Sequence, residues 1–122
     1  MNTFSRLFSL PIFFATAFVT ALTLGSILVF AEPVWIDVRT ESEYTQNHIE
    51  GDTTIPMANI DPLQLAKQFG KDAEINLCCQ SGVRAGRAKE ILEAAGFINV
   101  NNVGGIDGVR DLRELARSSS VQ

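Results

Sequence analysis

Residues 78–92 read CCQSGVRAGRAKEIL and hold the only two cysteines of the chain, side by side. Adjacent α-carbons lie about 3.8 Å apart across a trans peptide, whereas a disulfide usually spans about 4.4–6.8 Å. A bridge between Cys78 and Cys79 would be severely strained and would close no loop. Metal ligation is poorly served as well: two thiols and the lone His48, with no C-x-x-C spacing, do not make a site. No metal and no cofactor is expected. What remains is thiol chemistry. After Cys79, QSGV leads to a run with helical character beginning near Arg84, and Gly82 lets the chain curl. Backbone N–H groups that converge ahead of a helix amino terminus form an anion-holding nest. Those donors, the helix dipole and Arg84 all favour a thiolate over a thiol. Cys79, opening the loop, is the candidate nucleophile, with Gln80, Ser81, Gly82, Val83 and Arg84 as its anion loop. Cys78 is expected at the end of a strand, its side chain turned the other way into packing.

The elements that must position this loop are legible from pattern. VWIDV (34–38), TTIP (53–56), EINLC (74–78) and INVNNV (98–103) are short, β-branched or apolar runs read as strands. Between them lie helical signals. Thr40 and Glu43 have capping-box spacing. Asp61 and Pro62 start a helix that Gly70 ends, and 84–96 carries Ala88, Ile91, Leu92 and Ala95 on one face with Gly96 behind it. Gly104-Gly105 reads as a turn before a last helix over 107–116, and 118–122 reads as a disordered tail. Strands alternating with helices imply an α/β fold: a short parallel sheet with helices on both faces. In such sheets, ligands bind at the carboxyl ends of the strands, where Cys79 falls.

Arg6 is the only charged side chain before Glu32; from there on, nine Lys/Arg face fourteen Asp/Glu, a net charge of −5. An acidic domain repels nucleic acid and anionic lipid, so neither is an expected partner. Residues 1–31 have a short positive start, an uncharged apolar run and a close on Val29-Phe30-Ala31, the pattern of a cleaved secretory leader. The competing reading is an uncleaved anchor, because residues 7–31 carry no charge over 25 positions. Either way the domain, residues 32–117, is expected to be exported to the periplasm, free after cleavage or tethered to the inner membrane if the leader is kept.

Three stretches together resemble the rhodanese-type sulfurtransferases, in particular their small single-domain exported kind. WIDVRTESEYTQNHIEGDTTIP is similar to D-V-R…E-Y/F…G-H-I-x-G-A-x-N-I-P, CCQSGVRAGRAKEILEAAGF to C-x-S-G-x-R-S…A…L…G-F/Y, and NVGGIDG to the V-x-G-G turn. Asn47, Asp52 and Thr54 depart from the pattern, in a surface turn. The resemblance implies a rhodanese-like single domain and a thiosulfate sulfurtransferase activity. Cys79 would take sulfane sulfur from thiosulfate as a persulfide and pass it to cyanide or a thiol, with Arg84 orienting the anionic donor. Asp37 and Arg39, flanking Val38, read as a structural charge pair at the strand's end near the site, and the resemblance places His48 in a structural turn.

Two other readings compete. Counted from Cys78, the same stretch is C-x5-R, the spacing of cysteine phosphatases and arsenate reductases. Sulfur suits the smaller C-x4-R loop counted from Cys79, and Leu77 stands where the phosphatase pattern has a histidine. A non-catalytic rhodanese-fold binding module is the other, against which an intact Cys79 and its loop argue.

Overall fold

The computed structural model describes residues 31–122, so all but the last residue of the expected leader lies outside the described residues. The chain runs β1 (Val34–Asp37), α1 (Glu41–Gln46), β2 (Thr53–Thr54), a 3₁₀ turn (Met57–Asn59), α2 (Pro62–Phe69), β3 (Ile75–Cys79), α3 (Val83–Ala94), β4 (Val100–Gly105) and α4 (Ile106–Ser120). The four strands form one parallel sheet in the order β2-β1-β3-β4. β3 is central and buried along its whole length.

Alternation along β3 divides the core. Ile75, Leu77 and Cys79 face Leu65 of α2 and Ala85, Ala88 and Leu92 of α3. Cys78 faces the other way, onto Ile49 and onto Ile106 and Val109 of α4. Helices therefore cover both faces, as the pattern of elements predicts.

Local signals explain the helix starts. Thr40 Oγ1 accepts from Glu43 N at 3.2 Å while Thr40 N donates back to Glu43 Oε2 at 2.9 Å, a complete capping box. Asp61 caps α2 by accepting from Leu63 N, and Pro62 opens the helix. α3 has no side-chain cap. Its N-cap is Gly82 in the left-handed region (φ 91°), which leaves the first amides of the helix free for another acceptor.

Several boundaries differ from those the sequence predicts. β3 extends one residue further, because Cys79 pairs with Gly105 of β4. Gly104 and Gly105 are not a free turn but the end of β4, where the register with β3 shifts between Leu77 and Cys78. The closeness of the two chains explains the glycine: a Cβ on Gly105 would sit 2.6 Å from the Gln80 carbonyl oxygen. β4 starts at Val100 rather than Ile98, since Ile98 N donates to Lys71 O and its side chain is exposed. α4 begins at once at Ile106 and runs through Ser120, past the point where a disordered tail is expected from composition. The hydroxyls of Ser118, Ser119 and Ser120 each donate to the carbonyl three residues back, so polar side chains that suggest a loop here bond to the helix. Among the described residues, no helix is long and apolar enough to cross a membrane.

Candidate active site

The site is built where β3 ends. Cys79 is fully buried, and its Sγ accepts a hydrogen bond from Gly82 N at 2.9 Å. The left-handed conformation of Gly82 then turns the following chain into α3, whose first amides face the same sulfur. The turn is fastened from β4: Asn102 Nδ2 donates to Gly82 O at 2.9 Å, and its Oδ1 accepts from Gly104 N at 3.0 Å. A Cβ at Gly82 would meet the Gly104 Cα at 3.3 Å, so the loop is closely packed as well as curled.

Burial by itself pushes the Cys79 thiol up, because a thiolate loses hydration. The amides of Ala85, Ser81, Gly82 and Arg84 outweigh that penalty and hold it below the ordinary thiol value. Its neighbour is driven the opposite way. Burial first, then the negative charges of Asp37 and Asp52, push Cys78 up to about 12. Both are free thiols, but only one is placed to ionise.

Cys78 therefore does not serve the C-x5-R reading. Its side chain packs on the α4 side of the sheet, among Ile49, Ile106 and Val109, away from the amides that would have to cradle a phosphoryl group. The alternative of a phosphatase or arsenate reductase counted from Cys78 is corrected on that ground. Cys79 is also corrected in one detail: it is the last residue of the strand rather than the first of the loop.

Gln80, Ser81 and Val83 are exposed on the loop, as their side chains turn outward while their backbone curls inward. Arg84 is held differently from the expectation that it simply faces an incoming anion. Its Nη1 and Nη2 donate to Glu43 Oε2 and Oε1 at 2.7 and 2.9 Å, a bidentate pair across 41 residues. The Arg84 guanidinium, helped by the Thr40 amide, holds the Glu43 carboxyl down at about 2. Glu43 thus caps α1 and anchors the sulfur loop with one carboxylate. Sequence reasoning recognises only the cap; the second role is signalled by the E-Y that follows D-V-R in the family pattern. Asn102, whose fastening of Gly82 crosses 20 residues, leaves no such signal.

Asp37 and Arg39 form a buried pair, Arg39 Nη2 to Asp37 Oδ2 at 2.8 Å, with relative exposures of 1% and 3%. Arg39 Nη2 also donates to Asn47 O, tying the end of β1 to the exit of α1. Both groups are enclosed and hydrogen-bonded to each other. His48 stacks on Tyr44 with centroids 4.2 Å apart and shares a hydrogen bond with Tyr44 O. It lines a small hollow with Arg110 and Arg113 of α4, on the sheet face opposite the Cys79 cluster. The structure does not bring it to the sulfur. Among the described residues, no group of three His, Cys, Asp or Glu is placed to hold a metal ion.

A parallel sheet whose central strand ends in a buried thiol facing the amides of the next loop and helix start defines an α/β domain with a candidate thiol site. Residues 24–111 match the rhodanese-like domain, and the chain belongs to the rhodanese family. It is 34% identical over 84 residues to the thiosulfate sulfurtransferase PspE of Escherichia coli, covering 69% of this chain and 81% of that protein. It is 32% identical over 79 residues to the thiosulfate:glutathione sulfurtransferase of Saccharomyces cerevisiae, covering 56% of this chain and 57% of the yeast protein. A solved structure of rhodanese with anions from Escherichia coli superposes with a TM-score of 0.58 at 33% identity, over 63% of this chain and 91% of that one. A rhodanese-like domain protein from Staphylococcus aureus superposes with a TM-score of 0.55 at 34% identity, over 66% and 78%.

Proposed function

We propose that this chain is a thiosulfate sulfurtransferase that works through a persulfide on Cys79. The observation that carries the reading is the Gly82 N to Cys79 Sγ bond of 2.9 Å, within a loop whose amides favour the thiolate. In the first half-reaction the Cys79 thiolate bonds to the outer sulfur of thiosulfate. The sulfur–sulfur bond of the donor breaks, and sulfite departs with its electron pair. The negative charge stays on the new persulfide, under the amides of Ser81, Gly82, Arg84 and Ala85. In the second half-reaction an acceptor, cyanide or a thiol, removes the outer sulfur and regenerates the thiolate. This is covalent, two-step catalysis with ping-pong kinetics. Preorganised N–H donors stabilise the anion in both steps without rearranging.

Gln80, Ser81 and Val83 form the exposed rim that the acceptor meets. Asp37, Arg39 and His48 support the scaffold and take no chemical step. The leader pattern of residues 1–31 supports a domain outside the cytoplasm, with Glu32 as the first residue of the mature chain. Amino-terminal sequencing of the protein from an extracytoplasmic fraction tests that location, and an intact leader in membranes contradicts it. The activity itself is tested by thiocyanate formation from thiosulfate and cyanide, measured beside aryl phosphate hydrolysis by the same preparation. The reading expects sulfur transfer and negligible phosphatase turnover; the reverse order overturns it.

A further inference from the structure

At the carboxyl edge of the sheet, beside the sulfur loop on its β1–β2 side, lies a cavity of about 320 Å³. Its lining is mostly apolar, formed by Val38, Pro56, Met57 and Ala58 with Thr40 beside them, and Arg84 and Arg87 complete it. The two arginines stand three residues apart on α3, so they share one helix face. Arg84 lines the cavity and its backbone amide is among those that face Cys79, so the cavity lies beside the loop that holds the sulfur.

The two guanidinium groups differ in what they can still bind. Arg84 is committed to Glu43 through two bonds. Arg87 is exposed and takes part in none of the ion pairs among the described residues. From residue 32 on, the chain carries a net charge of −5, so an unpaired cation on a cavity wall is a local exception that attracts anions.

Thiosulfate and cyanide have no hydrocarbon to lay on four apolar side chains. A ligand that uses both halves of the cavity has a short carbon chain and an anionic end. We infer that the cavity seats the sulfur acceptor, and that this acceptor is a small thiol bearing a carboxylate; the inference rests on the sulfur-transfer reading of Cys79. Its methylene groups lie on Pro56 and Met57, its carboxylate meets Arg87, and its sulfur points to the loop. A cavity of this size suits a small molecule rather than a folded partner. In the transfer step the acceptor thiolate bonds to the outer sulfur of the persulfide. The bond from that sulfur to Cys79 breaks, its electron pair returns to the Cys79 thiolate, and the acceptor leaves as a persulfide. Sulfur and electrons balance with no further reagent. Arg87 is then the residue that determines acceptor specificity.

The test begins with a ligand that cannot accept sulfur. Methylthiopropionate and its alcohol counterpart methylthiopropanol are titrated into the protein and followed by NMR at the Met57 methyl and the Ala58 amide. The carboxylate is expected to bind there about tenfold more tightly, the scale of a partly exposed charge-assisted contact. Arg87→Gln should erase the preference and Arg87→Lys should keep most of it. In turnover with thiosulfate, the preference for mercaptopropionate over mercaptopropanol should fall about tenfold in Arg87→Gln, by the same contact. Equal binding of the two ligands, shifts elsewhere on the protein, or a preference that survives Arg87→Gln would overturn the inference. Binding as expected by a protein that forms no persulfide would instead contradict the sulfur-transfer reading and leave the anion site standing.

Discussion

Glu43 and Arg84 meet through two hydrogen bonds of 2.7 and 2.9 Å and join the first turn of α1 to the loop that holds Cys79. The pair lets the capping of one helix set the position of another, because the Glu43 carboxylate also accepts from Thr40 N. Glu43→Gln is an informative variant: glutamine still completes a capping box, so the substitution removes the charge pair and spares the cap. About a third of each side chain is exposed. The loss of stability should therefore be modest, about 0.5–1 kcal/mol near neutral pH, as for solvent-screened pairs.

The same pair sets a pH window. Arg84 holds Glu43 down at about 2, below the ordinary carboxyl value of about 4.3. A depressed carboxyl stabilises the fold above its unfolded pKa and loses that contribution as pH falls through the folded one. The difference in denaturant midpoint between the natural chain and Glu43→Gln should be present at pH above about 4.3 and shrink to nothing toward pH 2. A difference that persists unchanged to the acid end would show that the stabilisation is not that of the ion pair.

A steric prediction concerns the closing of the loop by β4. Gly105→Ala places a methyl 2.6 Å from the Gln80 carbonyl oxygen, which is backbone and cannot swing aside. The loop has to shift, at a cost of about 1–3 kcal/mol typical of overpacking, and the amides move off the sulfur. Sulfur transfer should fall sharply, with a drop in melting temperature. Gly108→Ala is the control, since nothing lies within 4 Å of its added methyl and it sits inside α4. That variant should be neutral or stabilised by about 0.5–1 kcal/mol through helix propensity.

Much of this arrangement is legible in the sequence, and for identifiable reasons. Thr40, Asp61, Pro62 and Gly70 act within a few residues of themselves, so local rules find the helices they start and stop. The two-residue period of a strand is enough to send Cys78 and Cys79 to opposite faces of the sheet. What stays hidden depends on chain segments meeting at a distance. The Glu43–Arg84 pair, the Asn102 fastening of Gly82 and the close passage of Gly105 over Gln80 each join residues 20 or more apart, and pattern says nothing about such meetings. The boundary of α4 escapes for another reason. Three serines read as a polar tail, but in a helix whose first turn is held by the buried Ile106 and Val109 their hydroxyls bond to the preceding turn.

The ionisation of Cys79 offers a further check. Burial alone would raise the Cys79 thiol, but its amide cradle lowers it, so the thiolate should form more readily than in an ordinary cysteine. The rate of persulfide formation from thiosulfate should rise with pH along a single titration whose midpoint lies below that of a free cysteine thiol, and be lost as pH falls through the folded pKa. Cys78, held up at about 12, should resist thiol reagents in folded Cys79→Ser protein across the same range. Rapid labelling of Cys78 in that variant would show that the two environments have been assigned to the wrong residues.

The most direct test maps where the sulfur goes. The natural chain, Cys79→Ser and Cys78→Ala are each treated with thiosulfate, digested, and searched by peptide mass spectrometry for one added sulfur. The account predicts the added sulfur on Cys79 in the natural chain and in Cys78→Ala, which gives up only the packing of a small buried side chain, on the order of 1 kcal/mol. It predicts none in Cys79→Ser, where a hydroxyl replaces the thiolate under the same amides. Added sulfur on Cys78, or a Cys79→Ser protein that still turns over, would contradict it.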